Sequence, residues 1–267
     1  IDGHLLLGIL ETGRGKVAQA VEMIADRYAP EKTPGYVGVT VTAPKGSTLS
    51  QEDIFTDLSA VLDQNVPTAL YQLPQITENE IEPQTALELA KKYANFYLFK
   101  DTSGEDKVAH SGSMPEDLFL VRGAEGDYAP HLKALGGAYH GFLLSTANCF
   151  AKQLSRIIEL SGLAASQGVG GVHSIEASEA AQEAKSISDT LSTVVESAFS
   201  AVNGLPFGNP FANANKSIDH IMAYGPAYTS AEAPLTHSGE RIPSELLVTI
   251  AELLQRHDMF PRKGYFE

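Results

Sequence analysis

Along the first half of this chain, short apolar runs alternate with longer stretches whose apolar residues recur at helical spacing. HLLLGIL (4–10), YVGVTVT (36–42), VPTALYQ (66–72), FYLFK (96–100), LFLVRG (118–123) and YHGFLLS (139–145) are nearly continuously apolar. Strands of a parallel sheet covered on both faces read this way, whereas a half-exposed strand alternates. Between these runs, KVAQAVEMIADRY (16–28), SQEDIFTDLSAVLDQ (50–64) and QTALELAKKYA (84–94) carry polar starts and amphipathic spacing, and predict helices. The order is β-α-β-α, with strand starts about every 20 to 32 residues, which suits successive right-handed crossovers in a (β/α)8 barrel or in an open doubly wound sheet.

After residue 150 the strand pattern stops. AKQLSRIIELSG (151–162), SEAAQEAKSISDTLSTVVESAFSAVNG (178–204) and SELLVTIAELLQRHD (244–258) predict helices, separated by a Gly-rich joint SQGVGGVH (166–173) and a loop LPFGNPFANAN (205–215). The sequence therefore divides into a βα portion, residues 1–155, and a helical C-terminal region, residues 156–267, expected to pack on it.

Composition narrows the function. The 267 residues are 43% hydrophobic, enough for a full-sized core. With 19 basic against 33 acidic residues the net charge is −14, a field that repels nucleic acid phosphates and anionic lipid, so neither is an expected partner. A single cysteine, Cys149, leaves no disulfide framework and fits a reducing compartment; a cytoplasmic location is expected. No run approaches the roughly 18 to 20 apolar residues of a membrane span. No metal or organic cofactor is expected: the eight histidines lack H-x-x-x-H or H-E-x-x-H spacing, and LETGRGKV (10–17) fails the phosphate-loop pattern at Leu10 and Val17. Cys149 reads as a small buried hydrophobe, and NKS (215–217) matches a glycosylation sequon by pattern only.

The chemical candidates lie at strand ends. Lys100 closes the fourth apolar run, and in βα proteins catalytic groups collect at the C-terminal ends of strands. A partly desolvated amine there favours the neutral nucleophile that attacks carbonyls. Tyr71 ends the preceding run, so its phenol should sit at the same rim one strand away, placed to relay protons. A plain surfacing lysine is the alternative for Lys100 taken alone.

These residues carry a resemblance. VPTALYQLPQIT (66–77) and FYLFKDTSGED (96–106) are similar, in order and spacing, to the V-P-x-x-x-Y-x-x-P-x-x-T and K-[DEQ]-x-[ST]-G-[DE] signatures of the dihydrodipicolinate synthase / N-acetylneuraminate lyase family. The likeness continues through LFLVRGAEGDYAPHLKALGGAYHGFLLSTAN (118–148), with its G-x-[DE] turn, A-L-G-G segment and T-A-N strand end. It implies a (β/α)8 TIM barrel with a helical C-terminal extension, class I aldolase chemistry on pyruvate or a sugar-derived 2-oxo acid, and a homo-oligomer, dimer or tetramer. It also implies Lys100 as Schiff-base former, Tyr71 as proton relay, and Thr102 and Gly123 at bound substrate.

The chain departs from the family pattern in three places. No G-T-T-G-E motif, whose threonines bind the pyruvate carboxylate, occurs; the numbered chain reads as starting at strand three, so about 60 residues forming two βα units are expected upstream of Ile1. VTAPKGSTLSQED (41–53) stands in place of the frequent P-Y-Y stretch. Ile76 occupies the position where dihydrodipicolinate synthases place an arginine, and an apolar residue cannot form that charge-assisted pair, which disfavours dihydrodipicolinate synthesis itself. The expected reaction is condensation of Lys100 with the C2 carbonyl of a 2-oxo acid, with Phe99 and Leu143 excluding water and Glu125 and Asp127 as candidate partners for sugar hydroxyls. The competing reading is a barrel with an impaired relay that binds a small acid or serves as a scaffold.

Overall fold

The computed structural model describes residues 3–28, 32–166, 175–205, 209–236 and 238–266. Its contacts group the chain into two compact units, one of residues 1–124 with 138–143 and the other of residues 125–137 with 144–267.

The first unit holds a six-stranded, all-parallel sheet: β1 (Leu5–Gly8), β2 (Tyr36–Thr42), β3 (Thr68–Gln72), β4 (Phe96–Asp101), β5 (Phe119–Arg122) and β6 (Gly141–Phe142). The spatial order is the chain order, β1 to β6. A doubly wound sheet reverses its order at a switch point and this one does not, so the sheet winds as a barrel does. Helices α1 (Lys16–Arg27), α2 (Gln51–Leu62), α3 (Pro74–Thr77), α4 (Pro83–Lys92) and α5 (Lys107–His110) fill the crossovers. Val39, Val41, Leu70, Phe99 and Leu120 share the buried core with Ile54, Leu58, Leu62, Ala86, Leu89 and Val108 from the helices.

Local chemistry fixes the boundaries. Ser50 and Asp53 form a reciprocal capping box at the start of α2, satisfying two amides that the helix leaves unpaired. Pro83 opens α4, where its missing N–H costs nothing. Gly38 has φ +134°, and a Cβ there would stand 2.1 Å from the Pro67 carbonyl oxygen, so only glycine lets β2 approach the chain entering β3. The sixth apolar run yields only a two-residue strand, shorter than its pattern implies.

The second unit is helical: α6 (Ala147–Ser166), α7 (Ile175–Val202), α8 (Pro210–Tyr224) and α9 (Ser244–Arg256). Helix α7 packs on α6, α8 and α9, burying Leu191, Val194, Val195 and Ala198 on one stripe. The 155/156 boundary drawn from the sequence falls inside α6. The expected loop at 205–215 is corrected in its second half: α8 starts at Pro210, with the Asn209 side chain accepting the Phe211 N–H. Proline at the first helical position and asparagine at the cap are start signals that look like loop composition. The Gly-rich joint beyond Ser166 lies outside the described residues. Among the described residues no helix is long and apolar enough to cross a membrane.

Candidate active site

Parallel pairing sets Tyr71 and Lys100 directly opposite each other on β3 and β4. Partners in register project to the same face, and here they meet: the Lys100 Nζ lies 4.0 Å from the centre of the Tyr71 ring. Both side chains are half-buried. On the other side of Lys100 stand Thr102 and Gly123. The Gly123 N–H donates to the Asp101 carbonyl at 2.6 Å, drawing the end of β5 against β4. A Cβ on Gly123 would fall 2.2 Å from the Thr102 Oγ1 and 2.7 Å from the Lys100 Cε, so the absent side chain is the space the lysine uses. The Thr102 Oγ1 is buried without a hydrogen-bond partner, a hydroxyl free to meet a ligand. Its backbone is pinned by Thr102 N–H to the Gln72 carbonyl at 3.0 Å and by the Gln75 Nε2 donating to the Thr102 carbonyl at 3.3 Å.

The remaining expected residues fall elsewhere. Leu143 follows β6, with its N–H donating to the Arg122 carbonyl, and is 39% exposed. Phe99 is corrected: it is fully buried in the core and, one residue from Lys100 on a strand, points to the opposite face, so it excludes no water from the amine. Glu125 belongs to the second unit. Its Oε1 accepts from the Ser145 Oγ at 2.8 Å and the Thr146 N–H at 3.1 Å; its Oε2 accepts from the Thr146 Oγ1 at 2.6 Å and the Tyr128 hydroxyl at 3.1 Å. Asp127 adopts φ +45°, and its N–H donates to the Ser192 Oγ. Burial pushes the Tyr128 hydroxyl above the ordinary phenol range, Glu125 adding to the effect. Burial likewise pushes the Cys149 thiol up to about 12, the mark of an inert cysteine.

Ile76, at the rim beyond β3, is 51% exposed. In the loop before α1 the Glu11 carboxylate accepts the Thr12 and Gly13 N–H groups, so this chain supplies its own anion where a phosphate loop would hold one. Among the described residues no cluster of three His, Cys, Asp or Glu could hold a metal.

The sequence reading passed over Asp101. Strand alternation places it on the face of Phe99, opposite Lys100, and it is fully buried. Burial raises its carboxyl above the usual aspartate range; the two Ser103 donors oppose this, while Asp106 and Glu80 add to it. An acid whose pKa is raised on folding binds its proton more tightly in the folded chain. Its contribution is fully present below the unfolded pKa, about 4, and is lost as pH rises from there through the folded value. Denaturant midpoints measured from pH 4 to 8 are expected to fall through this window in the wild type. Asp101→Asn should flatten that fall; an identical slope in the variant would place the pH dependence elsewhere.

A parallel sheet wound in sequential order, with a lysine and a tyrosine facing each other at the ends of adjacent strands, defines a barrel-type α/β protein with an amine at its rim. The chain belongs to the dihydrodipicolinate synthetase family, which it matches over residues 9–169. It is 26% identical over 162 residues to the 4-hydroxy-tetrahydrodipicolinate synthases of Escherichia coli O139:H28 (strain E24377A / ETEC) and Shigella boydii serotype 18 (strain CDC 3083-94 / BS512), covering 60% of this chain and 53% of each relative. The chain thus spans about half the length of the curated relatives it matches. Among solved structures it resembles dihydrodipicolinate synthase from Thermotoga maritima, with TM-score 0.62 and 16% identity over 96% of this chain and 75% of that one. It also resembles a prophage protein of the dihydrodipicolinic acid synthase family from E. coli K12 in complex with pyruvate, with TM-score 0.64 and 17% identity over 96% and 76%. At such identities these neighbours speak to the TIM-barrel fold alone.

Proposed function

We propose that this chain carries the Schiff-base site of a lyase or aldolase acting on a 2-oxo acid, pyruvate or a sugar-derived 2-keto acid. The observation that supports it most is the Lys100 amine 4.0 Å over the Tyr71 ring, with Gly123 leaving room for the lysine. In this reading the Lys100 amine adds to the C2 carbonyl, and the Tyr71 phenol gives its proton to the departing hydroxyl, so that water leaves and a protonated imine and a Tyr71 phenolate remain. Tyr71 takes the proton from the C4 hydroxyl as the C3–C4 bond breaks. The bonding pair flows into the imine as an enamine, and the aldehyde departs. Protonation at C3 and hydrolysis release the shortened 2-oxo acid and the amine. The Thr102 Oγ1 and the Gly123 backbone would contact the bound acid, with Leu143 as a further candidate substrate contact. Exposed Ile76 offers no charge to a second carboxylate, which supports an aldehyde partner other than that of dihydrodipicolinate synthesis.

Incubation with pyruvate and borohydride, followed by intact-mass analysis, tests the reading. A reduced pyruvyl adduct is expected in the wild type and not in Lys100→Ala. Absence of an adduct with pyruvate and with a panel of other 2-oxo acids would overturn it in favour of a non-catalytic barrel.

A further inference from the structure

Behind Lys100, on the helix-covered face of the sheet, a chain of polar contacts begins at the buried Asp101. The Asp101 Oδ1 accepts the Ser103 N–H at 2.9 Å and the Ser103 Oγ–H at 2.6 Å, closing a tight turn across Thr102. The Ser103 Oγ in turn accepts the Glu105 and Asp106 N–H groups at 3.2 and 3.4 Å. The Asp106 carboxylate, on a residue with φ +55°, receives the Tyr139 hydroxyl at 2.6 Å and the Arg122 Nε at 3.3 Å. The Arg122 Nη1 continues to the Ala124 carbonyl at 2.8 Å, spanning Gly123 as Asp101 spans Thr102.

The arrangement is costly as a stability device. The Asp101 Oδ2 is buried with no hydrogen-bond partner, and a buried polar atom left unpaired opposes folding. An asparagine would keep the turn without burying an acid. What the network brackets is the candidate site: Lys100, Thr102 and Gly123 are each the chain neighbour of a network member, Asp101 or Arg122, and these two are themselves opposite partners in the β4–β5 ladder. A lysine has four rotatable bonds and no shape of its own. Its position depends on its walls, the Tyr71 ring on one side and Thr102 with Gly123 on the other.

We propose that Asp101 is a positioning residue for Lys100: the turn it closes onto Ser103, tied through Asp106 to Arg122, holds Thr102 and Gly123 as the wall against which the amine is set. The inference rests on the reading of Lys100 as the reacting amine. Removing the Oδ1 acceptor frees the Ser103 donors and lets Thr102 rotate on its remaining ties to Gln72 and Gln75.

Two readouts on Asp101→Ala, Asp101→Asn and the wild type test it. The first is the rate of pyruvate trapping by borohydride. The second is reductive methylation of Lys100 by formaldehyde and cyanoborohydride, read by peptide mass mapping against exposed Lys185 as internal reference. Misplacing a reacting group by about 1 Å costs on the order of a hundredfold, so a partial loosening in Asp101→Ala is expected to slow trapping at least about tenfold and to shift the Lys100/Lys185 methylation ratio, whereas Asp101→Asn stays within about threefold of wild type in both. Should Asp101→Ala fail to fold, Ser103→Ala removes one of the two donors and is read by the same ratio. Wild-type behaviour of Asp101→Ala or Ser103→Ala in both readouts, with only the melting temperature lowered, would overturn the proposal; so would an Asp101→Asn as impaired as the alanine. If the wild type traps no 2-oxo acid, the lyase reading fails, and the methylation ratio still decides whether Asp101 positions Lys100.

Discussion

Gly123→Ala is expected to slow pyruvate trapping at Lys100 at least about a hundredfold while leaving the chain folded, because a wall moved by a fraction of the C–C distance displaces the amine from its carbonyl. The added Cβ would sit 2.2 Å from the Thr102 Oγ1 and 2.7 Å from the Lys100 Cε, closer than real carbon contacts allow. The Lys100 Cε nearly ends a flexible side chain, the Thr102 Oγ1 ends a short β-branched one that yields only by turning about χ1, and the nearest backbone atom, the Asp101 carbonyl oxygen, is at 3.2 Å. The strain is therefore relieved by moving the lysine rather than the sheet. The double variant Gly123→Ala with Thr102→Ala separates the two contacts: it removes the clash with the hydroxyl and should recover thermal stability, yet leaves the clash with Lys100, so its trapping should stay well below that of Thr102→Ala alone. Trapping at the wild-type rate in the single variant would show that Lys100 reacts equally well from a different position.

Much of this was legible in the sequence, for reasons particular residues make plain. Strands β2 to β5 coincide with their apolar runs within two residues at each end, since both faces are covered and nothing interrupts the pattern between Tyr36 and Thr42 or Phe96 and Asp101. The choice between a barrel and a doubly wound sheet was open, because local patterning carries no information on which strand lies beside which; the sequential order resolved it. The opposition of Lys100 and Tyr71 followed from equivalent strand ends. Their partner Gly123 also stood in the recognised motif, but the reason for it, the space taken by the Lys100 Cε, exists only in three dimensions. Helix α8 was missed because Asn209 and Pro210 serve both loops and helix starts. Asp101 was missed because acidic residues after a strand are ordinarily solvated; alternation from the buried Phe99 was the signal that it points inward. The same alternation removes Phe99 from the site, where adjacency in sequence had placed it.

Phe99→Ala is expected to destabilise the first unit by about 3 to 5 kcal/mol, the range for emptying a fully buried aromatic site. Phe99 is wholly inaccessible and lies between Leu70 of β3 and Leu120 of β5 in the ladders, against the core residues of the helices. It also meets the Phe96 ring edge to face, with centroids 6.5 Å apart and planes at 68°, a geometry worth about 0.5 to 1.5 kcal/mol beyond area burial. Strands β3, β4 and β5 are parallel neighbours locked by their hydrogen bonds, so they cannot collapse into the space a phenyl group leaves, and the cavity cost should stand near the upper end of the range. Urea unfolding followed by circular dichroism measures it; a loss under about 2 kcal/mol would mean that the helices close over the gap. Lys100, the next residue on the opposite face, reads the same change through function. If the sheet keeps its register, trapping per folded molecule should stay near the wild-type rate in Phe99→Ala at temperatures where the variant is folded. A deep loss of trapping in the folded variant would instead mean that the core side of β4 sets the geometry of the amine side, and that the two faces of this strand cannot be treated as separate.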